Sequence, residues 1–139
     1  MRRLPGGPVF YSVAWPLLKL NAIVKVLIVE DTESVRFALR LALEYLGHEV
    51  VGTAIDGHEA LEKYKSVHPE LVVMDVRMPR MDGLTCTELL SKHDPNARVL
   101  VITGGRITEN DARKAGARGF VEKPFEIAHL NELIASITV

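Results

Sequence analysis

The chain has 139 residues, a length that fits one domain with a short appendage and excludes two full domains. Hydrophobic residues make up 47% and charged residues 25%, an ordinary globular composition that excludes a disordered or collagen-like chain. Seventeen basic and eighteen acidic residues give a net charge of -1, which argues against a protein that holds nucleic acid through a basic surface.

Residues 1–24 differ in composition from the rest of the chain and are predicted to be a leader, with the domain formed by residues 25–139. A basic start precedes the apolar residues 9–18, a pattern that superficially resembles a secretory signal. Pro16 and Lys19 interrupt that pattern and no clear small-residue cleavage site comes after it, so a poorly packed leader is the better interpretation. The alternative is that its large apolar side chains pack on the domain surface.

From residue 25 onward, short apolar runs alternate with helix-period segments five times, which predicts strand and helix units around a parallel sheet. Strands are predicted at residues 26–29, 50–54, 71–74, 99–102 and 119–121. One face of the first helix carries Val35, Leu39, Leu43 and Leu46, and Ala60, Leu61 and Tyr64 mark the second helix. The buried stripe of the last helix is predicted to be Ile127, Leu130, Ile134 and Ile137. The third and fourth helices are predicted at 83–92 and 109–115, and Asp56-Gly57 is predicted to be a turn.

The fold class that this pattern indicates is α/β, a flavodoxin-like doubly wound sheet of five parallel strands in the order 2-1-3-4-5 with five helices. In such a sheet, ligands bind outside the carboxyl ends of the strands. Polar residues stand there in this chain: Glu30 and Asp31 after the first strand, Asp75 after the third, Thr103 after the fourth, and Glu122-Lys123-Pro124 after the fifth. Because the first and third strands are neighbours in this order, three carboxylates are predicted to converge.

Converging carboxylates need a cation, since two of them about 4 Å apart repel by roughly 4 kcal/mol at an effective dielectric near 20. Mg²⁺ is the natural partner because it binds carboxylate and phosphate oxygens, and Lys123 adds a further positive charge. Such a site would let a phosphoryl group approach an aspartate nucleophile. Considered one at a time, these residues also have ordinary structural interpretations. The acids are typical of helix caps, Thr103 is typical of a turn, and Lys123 is typical of a solvated surface residue.

Residues 25–139 resemble the receiver domain of two-component response regulators. The resemblance lies in the strand and acidic pair at 26–31, the segment Met74-Asp75-Val76-Arg77-Met78-Pro79-Arg80-Met81-Asp82-Gly83, the hydroxyl of Thr103 and the triplet Lys123-Pro124-Phe125. It implies that Asp75 accepts a phosphoryl group from a histidine kinase or phosphotransfer protein and that Lys123 contacts the phosphoryl oxygen. It also implies that the Lys123-Pro124 bond is cis. The ligands implied for Mg²⁺ are Glu30, Asp31, Asp75 and the main-chain carbonyl of Arg77.

The resemblance also implies a switch that couples Thr103 to the aromatic residue three positions before the lysine, here Phe120 in place of the tyrosine often found there. Phe120 keeps the ring but lacks the hydroxyl, and an ordinary core aromatic is the other interpretation. The implied output is a change in binding to a target protein through the fourth helix, fifth strand and last helix, with no direct contact to nucleic acid. Only 15 residues follow Pro124, so we expect no attached output domain unless the chain is a fragment of a longer regulator.

These features predict a cytoplasmic signalling module that transfers a phosphoryl group to itself and slowly loses it, rather than an enzyme. The single cysteine, Cys86, fits a reducing compartment, and no apolar run approaches the roughly 20 residues of a membrane span. Two enzymatic or cofactor-binding alternatives fit less well. A phosphatase of the haloacid dehalogenase type needs a second aspartate where Arg77 stands, and a dinucleotide-binding protein needs a Gly-x-Gly-x-x-Gly motif after the first strand.

A third alternative is a degenerate receiver that serves only as an interaction domain, and the complete set of acidic, hydroxyl and lysine residues counts against it. The five histidines show no close metal-ligand spacing and are predicted to be solvated surface residues: His48, His58, His68, His93 and His129.

Overall fold

The computed structural model describes residues 22–78 and 81–138. Five strands alternate with five helices in this part of the chain: β1 (Lys25–Val29), α1 (Glu33–Tyr45), β2 (Glu49–Ala54), α2 (Gly57–Val67), β3 (Leu71–Asp75), α3 (Gly83–His93), β4 (Val99–Thr103), α4 (Glu109–Lys114), β5 (Gly119–Glu122) and α5 (Ile127–Thr138). Within those residues, none of the helices has the length and apolar character that crossing a membrane requires. The predicted leader falls almost entirely on residues 1–21, which lie outside the described part.

The strands form one parallel sheet in the order β2-β1-β3-β4-β5, which confirms the predicted topology. The order places β1 and β3 side by side, with Val29 opposite Met74 at their carboxyl ends. β3 and β4 are buried along their whole length, as expected for central strands covered by helices on both faces.

Alternate residues of the strands point to opposite faces of the sheet and form two apolar layers. The layer that includes Val72 and Met74 packs against α2, α3 and α4. The layer that includes Val73 and Leu100 packs against α1 and α5. Two helices on one face and three on the other make the sheet doubly wound, and its carboxyl edge stays open between them.

Three strands end one residue later than predicted, and the added residues are all polar: Asp75, Thr103 and Glu122. Asp75 pairs with Ile102 as the last residue of β3, and Thr103 pairs with Glu122 as the last residue of β4. The apolar runs stop one residue earlier because the sequence pattern detects apolar side chains, whereas strand pairing is formed by main-chain groups that every residue here possesses. Asp75 and Thr103 are therefore positioned by the hydrogen-bonded main chain of the sheet and do not belong to a loop.

Two predictions of local structure were wrong. Asp56 does not lie in a free turn, because its Oδ1 accepts a hydrogen bond from the main-chain N–H of Glu59 at 2.9 Å and α2 begins at Gly57. Ile127 does not belong to the buried face of α5, since 43% of it is exposed. That helix contacts the sheet only from its second turn onward, through Leu130 and the residues after it.

One of the five histidines is buried, contrary to the prediction for all of them. His48 retains 5% exposure, and its Nδ1 accepts a hydrogen bond from the main-chain N–H of Val24 at 3.2 Å. Burial lowers the pKa of His48, which favours the neutral ring that can accept this hydrogen bond. The ring thereby fixes the start of β1 to the start of β2, a role that no spacing of histidines in the sequence could indicate.

Candidate functional site

A polar cavity of about 240 Å³ opens at the carboxyl edge of the sheet, where β1 and β3 end. Its walls come from the ends of four strands, β1, β3, β4 and β5, from the loops after them and from the first turn of α1. The lining residues are Glu30, Asp31, Thr32, Val35, Asp75, Arg77, Gly104 and Lys123. The structure therefore brings together the acidic residues, the arginine and the lysine that the sequence placed at separate strand ends.

Three carboxylates converge in this cavity. Glu30, Asp31 and Asp75 each offer an oxygen, and these three oxygens lie within 4.8 Å of one another. Glu30 and Asp75 are buried, whereas Asp31 is exposed at the mouth of the cavity. A divalent cation with oxygen ligands fits such a donor set, and the exposed side leaves room for water or a phosphoryl oxygen.

Lys123 supplies a positive charge from the side of β5. Its Nζ lies 3.8 Å from Asp75 Oδ1 and 4.0 Å from Glu30 Oε1. The peptide bond between Lys123 and Pro124 is cis, and the main-chain N–H of Lys123 donates a hydrogen bond to the carbonyl of Thr103 at 2.8 Å. The lysine is thus tied to the end of β4 while its side chain faces the two buried carboxylates.

The two buried carboxylates are poor at holding a negative charge in this setting. Burial raises the pKa of Glu30 to about 7, and the charge of Asp75 adds to the rise, while the main-chain N–H of Thr32 and the charge of Lys123 oppose it. Burial likewise raises the pKa of Asp75; Lys123 opposes this rise and Asp31 adds to it. One lysine does not offset three acids, so a further cation would be bound favourably.

Glu30 Oε1 is a single oxygen atom whose negative charge is poorly compensated. It is buried and has no hydrogen-bond partner among the described residues, although such atoms are nearly always paired. The other oxygen, Oε2, accepts the main-chain N–H of Thr32 at 3.0 Å. A buried carboxylate oxygen that accepts no hydrogen bond and lies beside two other acids suits a metal ligand, so the residues present fit Mg²⁺.

The helix-cap interpretation does not account for these acids. Thr32 is the N-cap residue of α1, and no side-chain cap hydrogen bond is formed there. Instead, Arg36 Nη1 donates to the main-chain carbonyls of Glu30 at 2.9 Å and Asp31 at 3.3 Å. Sequence reasoning missed Arg36, although its position one turn into the helix after an acidic pair was a usable signal.

Thr103 and Phe120 lie on adjacent strands beside the cavity. Thr103 is 1% exposed, and its Oγ1 accepts a hydrogen bond from the main-chain N–H of Gly105 at 3.2 Å. Phe120 is half-buried and packs against the apolar layer under α2, α3 and α4. Phe120 pairs with Val101, two residues before Thr103.

Residues 26–135 match the family model described as response regulator receiver domain. The chemotaxis protein CheY of Thermotoga maritima is 38% identical over 116 residues, which are 82% of this chain and 97% of that protein. The chemotaxis protein CheY of Bacillus subtilis is 38% identical over 112 residues, 79% of this chain and 93% of its own. The crystal structure of the CheX-CheY-BeF3-Mg complex from Borrelia burgdorferi superposes with a TM-score of 0.81 at 32% identity and covers 87% of this chain and 98% of that one.

Proposed function

The chain belongs to the response regulator receiver domain family, and we propose that Asp75 accepts a phosphoryl group in a Mg²⁺-dependent reaction. The observation that carries the proposal is the convergence of Glu30, Asp31 and Asp75 with Lys123 at one edge of the sheet. Membership of this family makes the protein a CheY-like signalling module of two-component systems. It also removes the support for a phosphatase of the haloacid dehalogenase type and for a dinucleotide-binding protein.

Glu30, Asp31, Asp75 and the main-chain carbonyl of Arg77 would hold Mg²⁺. The lack of a hydrogen bond to Glu30 Oε1 and the short separation of the three carboxylates support this assignment. When bound, Mg²⁺ would neutralise negative charge shared between the carboxylates and the incoming phosphoryl oxygens. Asp31 is exposed at the mouth and would leave solvent and donor access to the ion.

Asp75 would act as the nucleophile. A carboxylate oxygen of Asp75 forms a bond to phosphorus while the bond from phosphorus to the donor's nitrogen or oxygen breaks, and the leaving group keeps that electron pair. Lys123 Nζ lies 3.8 Å from Asp75 Oδ1 in this structure. After the transfer it would contact a phosphoryl oxygen, which then carries the negative charge. Loss of the phosphoryl group then occurs by attack of water on phosphorus, which restores the carboxylate.

Phosphorylation would change the conformation of the protein. The negative charge at Asp75 would increase from about -1 to about -1.5 to -2, and the added charge would be stabilised by further hydrogen-bond donors. Thr103 is the proposed donor, since its hydroxyl group is buried at the end of the neighbouring strand. Its movement inward would leave space that Phe120 fills, and the surface of α4, β5 and α5 would change with it.

That surface is the proposed binding site for a downstream protein. A groove of about 510 Å³ lies over it, with apolar and acidic side chains in its lining, among them Phe120, Phe125, Glu109, Glu122 and Glu126. Charge complementarity therefore favours a target segment that carries apolar and basic residues. The Borrelia burgdorferi relative forms a complex with the protein CheX, which supports a protein target here.

The test is incubation of the protein with acetyl phosphate and Mg²⁺, followed by measurement of intact mass. With Mg²⁺ we expect the mass to increase by one phosphoryl group. When a chelator removes the metal before the donor is added, we expect no increase, because the carboxylates then repel the donor. A matched incubation with chelator and excess Mg²⁺ restores the gain. Labelling that proceeds equally well without divalent metal would contradict the proposal.

A further inference from the structure

The hydroxyl group of Thr103 is held by the loop that follows β4. Thr103 Oγ1 accepts a hydrogen bond from the main-chain N–H of Gly105 at 3.2 Å, and the carbonyl of Thr103 accepts one from the N–H of Lys123 at 2.8 Å. Thr103 is the last residue of β4 and is 1% exposed. The strand fixes its main chain, and the contact with Gly105 fixes the direction in which its hydroxyl group points.

In this position the hydroxyl group does not reach Asp75. Gly104 lines the cavity that contains Asp75, but Thr103 is not among the described residues that line it. Within the described part of the chain, the hydrogen-bond partner of Thr103 Oγ1 is the N–H of Gly105 and not a carboxylate oxygen of Asp75. The Thr103 side chain must therefore turn before it can donate to a phosphoryl group, and the turn moves Oγ1 away from Gly105.

Gly105 has a main-chain conformation that few other residues adopt. Its φ is +106°, where residues with a side chain are strained. A β-carbon on Gly105 would meet one described atom within 4 Å, Glu122 Oε2 at 3.4 Å, which is the end of a flexible side chain. The glycine is therefore required by the conformation that presents its N–H to Thr103 and not by a lack of space.

The hydrogen bond between Gly105 and Thr103 is weak enough to be exchanged for another. Its length of 3.2 Å lies at the long end of the range for N–H···O hydrogen bonds, and both groups are neutral. A hydrogen bond to a charged oxygen is roughly twice as strong as a neutral one. The contact with Gly105 is thus favoured while Asp75 is unmodified, and a contact with a phosphoryl oxygen is favoured once that group is present.

Glu122 connects this loop to the groove over α4, β5 and α5. It pairs with Thr103 across β4 and β5, and its Oε2 lies beside Gly105. Glu122 also lines the groove. A change in the contact between Gly105 and Thr103 therefore occurs next to a carboxylate of the surface that is proposed to bind a partner.

We propose that Gly105 is a positioning residue whose N–H holds the Thr103 hydroxyl group away from Asp75 until Asp75 is phosphorylated. The inference rests on the proposed function, because that function assigns Thr103 the role of donor to the phosphoryl group. The contact itself exists without phosphorylation and can be measured in the unmodified protein. Failure of the contact and failure of phosphoryl transfer therefore give different results.

The first experiment uses nuclear magnetic resonance of the unphosphorylated full-length protein. Three-bond couplings from the methyl carbon of Thr103 to its main-chain nitrogen and carbonyl carbon report the χ1 angle. The test variant is Gly105→Ala, which disfavours the positive φ. The matched control is Gly47→Ala, because Gly47 has a φ of +91° and open space around it but lies between α1 and β2, at the opposite edge of the sheet.

We expect couplings of a single χ1 rotamer in the wild type and in Gly47→Ala. Gly105→Ala should show couplings averaged between rotamers, because the hydroxyl group is no longer held. Circular dichroism verifies that both variants fold. Averaged couplings in the wild type, or a single unchanged rotamer in Gly105→Ala, would overturn the proposal.

The second experiment needs no change at Gly105 and measures exchange of its amide hydrogen with water. In the unphosphorylated protein, Thr103→Val removes the acceptor and should speed this exchange several-fold, whereas Thr103→Ser should leave it unchanged. Wild-type exchange should also rise several-fold after acetyl phosphate and Mg²⁺ have added one phosphoryl group by intact mass.

Equal exchange in the wild type and Thr103→Val would overturn the proposal, and so would protection that persists in the phosphorylated protein. A protein that gains no mass would contradict the proposed phosphoryl transfer, while the measurements on the unmodified protein still decide whether Gly105 holds Thr103.

Discussion

Gly83 lies directly against the main chain of Asp75. A β-carbon at position 83 would overlap the carbonyl oxygen of Asp75 and the α-carbon of Val76. The main-chain N–H of Gly83 also donates to the carbonyl of Val76 at 2.8 Å. The start of α3 thus packs onto the end of β3, and the position of the proposed phosphoacceptor depends on a glycine eight residues later.

Gly83→Ala should therefore destabilise the protein and slow labelling of Asp75. The added methyl group displaces main-chain atoms, and overpacking of this kind costs about 1–3 kcal/mol. Urea unfolding and the rate of mass gain with acetyl phosphate measure the two effects. Gly104→Ala is the control for stability, because a β-carbon there meets no atom within 4 Å. Equal stability of the two variants would show that the loop before α3 absorbs the change.

Tyr64→Phe should make stability less dependent on pH in the acid range. The Tyr64 hydroxyl donates to Asp94 Oδ2 at 2.7 Å and, together with the N–H of Asn96, holds the pKa of Asp94 below its usual range. A lowered carboxyl pKa stabilises the fold fully above the unfolded value of about 3.9, and this contribution is lost as the pH falls through the lower folded value. The variant should be less stable at neutral pH, with the deficit shrinking below about pH 4.

Thermal midpoints measured from pH 3 to pH 7 test that expectation. Tyr45→Phe serves as the matched control, because Tyr45 is 82% exposed and the change there removes only a solvated hydroxyl. A deficit in Tyr64→Phe that stays constant across the range would mean that the loss does not depend on the ionisation of Asp94, which would contradict the proposed link.

Gly104→Val should slow both phosphorylation and hydrolysis of the phosphoryl group. Gly104 lines the cavity that contains Asp75, and the space where its side chain would project is open. A valine there would narrow the path for small donors and for water alike. Labelling and decay rates from intact mass test this, with Gly104→Ala expected between the wild type and valine. Unchanged rates would indicate that access is controlled elsewhere, for example by Arg77.

Thr103→Ala should accept phosphate but fail to transmit the signal. The hydroxyl is the proposed donor that turns toward the phosphoryl group, whereas the nucleophile and the metal ligands stay in place. Amide chemical-shift changes of β5 on phosphorylation provide the measurement, and Thr103→Ser, which keeps the hydroxyl, should preserve them. Normal shifts in the alanine variant would exclude the hydroxyl as the coupling group.

Sequence reasoning predicted the strands from patterns along the chain, and the flavodoxin-like order taken for a doubly wound sheet then predicted the convergence at its edge. Continuous apolar runs mark buried strands, and the polar residue after each run marks a strand end, as at Asp75 and Thr103. Those patterns carry no information on main-chain proximity, so the contact of Gly83 with Asp75 was not predicted.

The burial of an individual side chain is equally hard to predict from the sequence. His48 is polar by type but occupies a site where one ring nitrogen accepts the N–H of Val24. Ile127 follows the helical period of α5 but lies before the turn that meets the sheet. In both cases the outcome depends on where two elements meet in space, which periodicity along one element does not encode.

The most direct test of the account compares Asp75→Asn with Asp82→Asn under identical labelling with acetyl phosphate and Mg²⁺. Asp82 is an exposed acid seven residues away whose side chain caps α3, and asparagine caps helices equally well. We predict no mass gain in Asp75→Asn and a gain of one phosphoryl group in Asp82→Asn, as in the wild type. Undiminished labelling of Asp75→Asn would contradict the central claim that Asp75 is the phosphoacceptor.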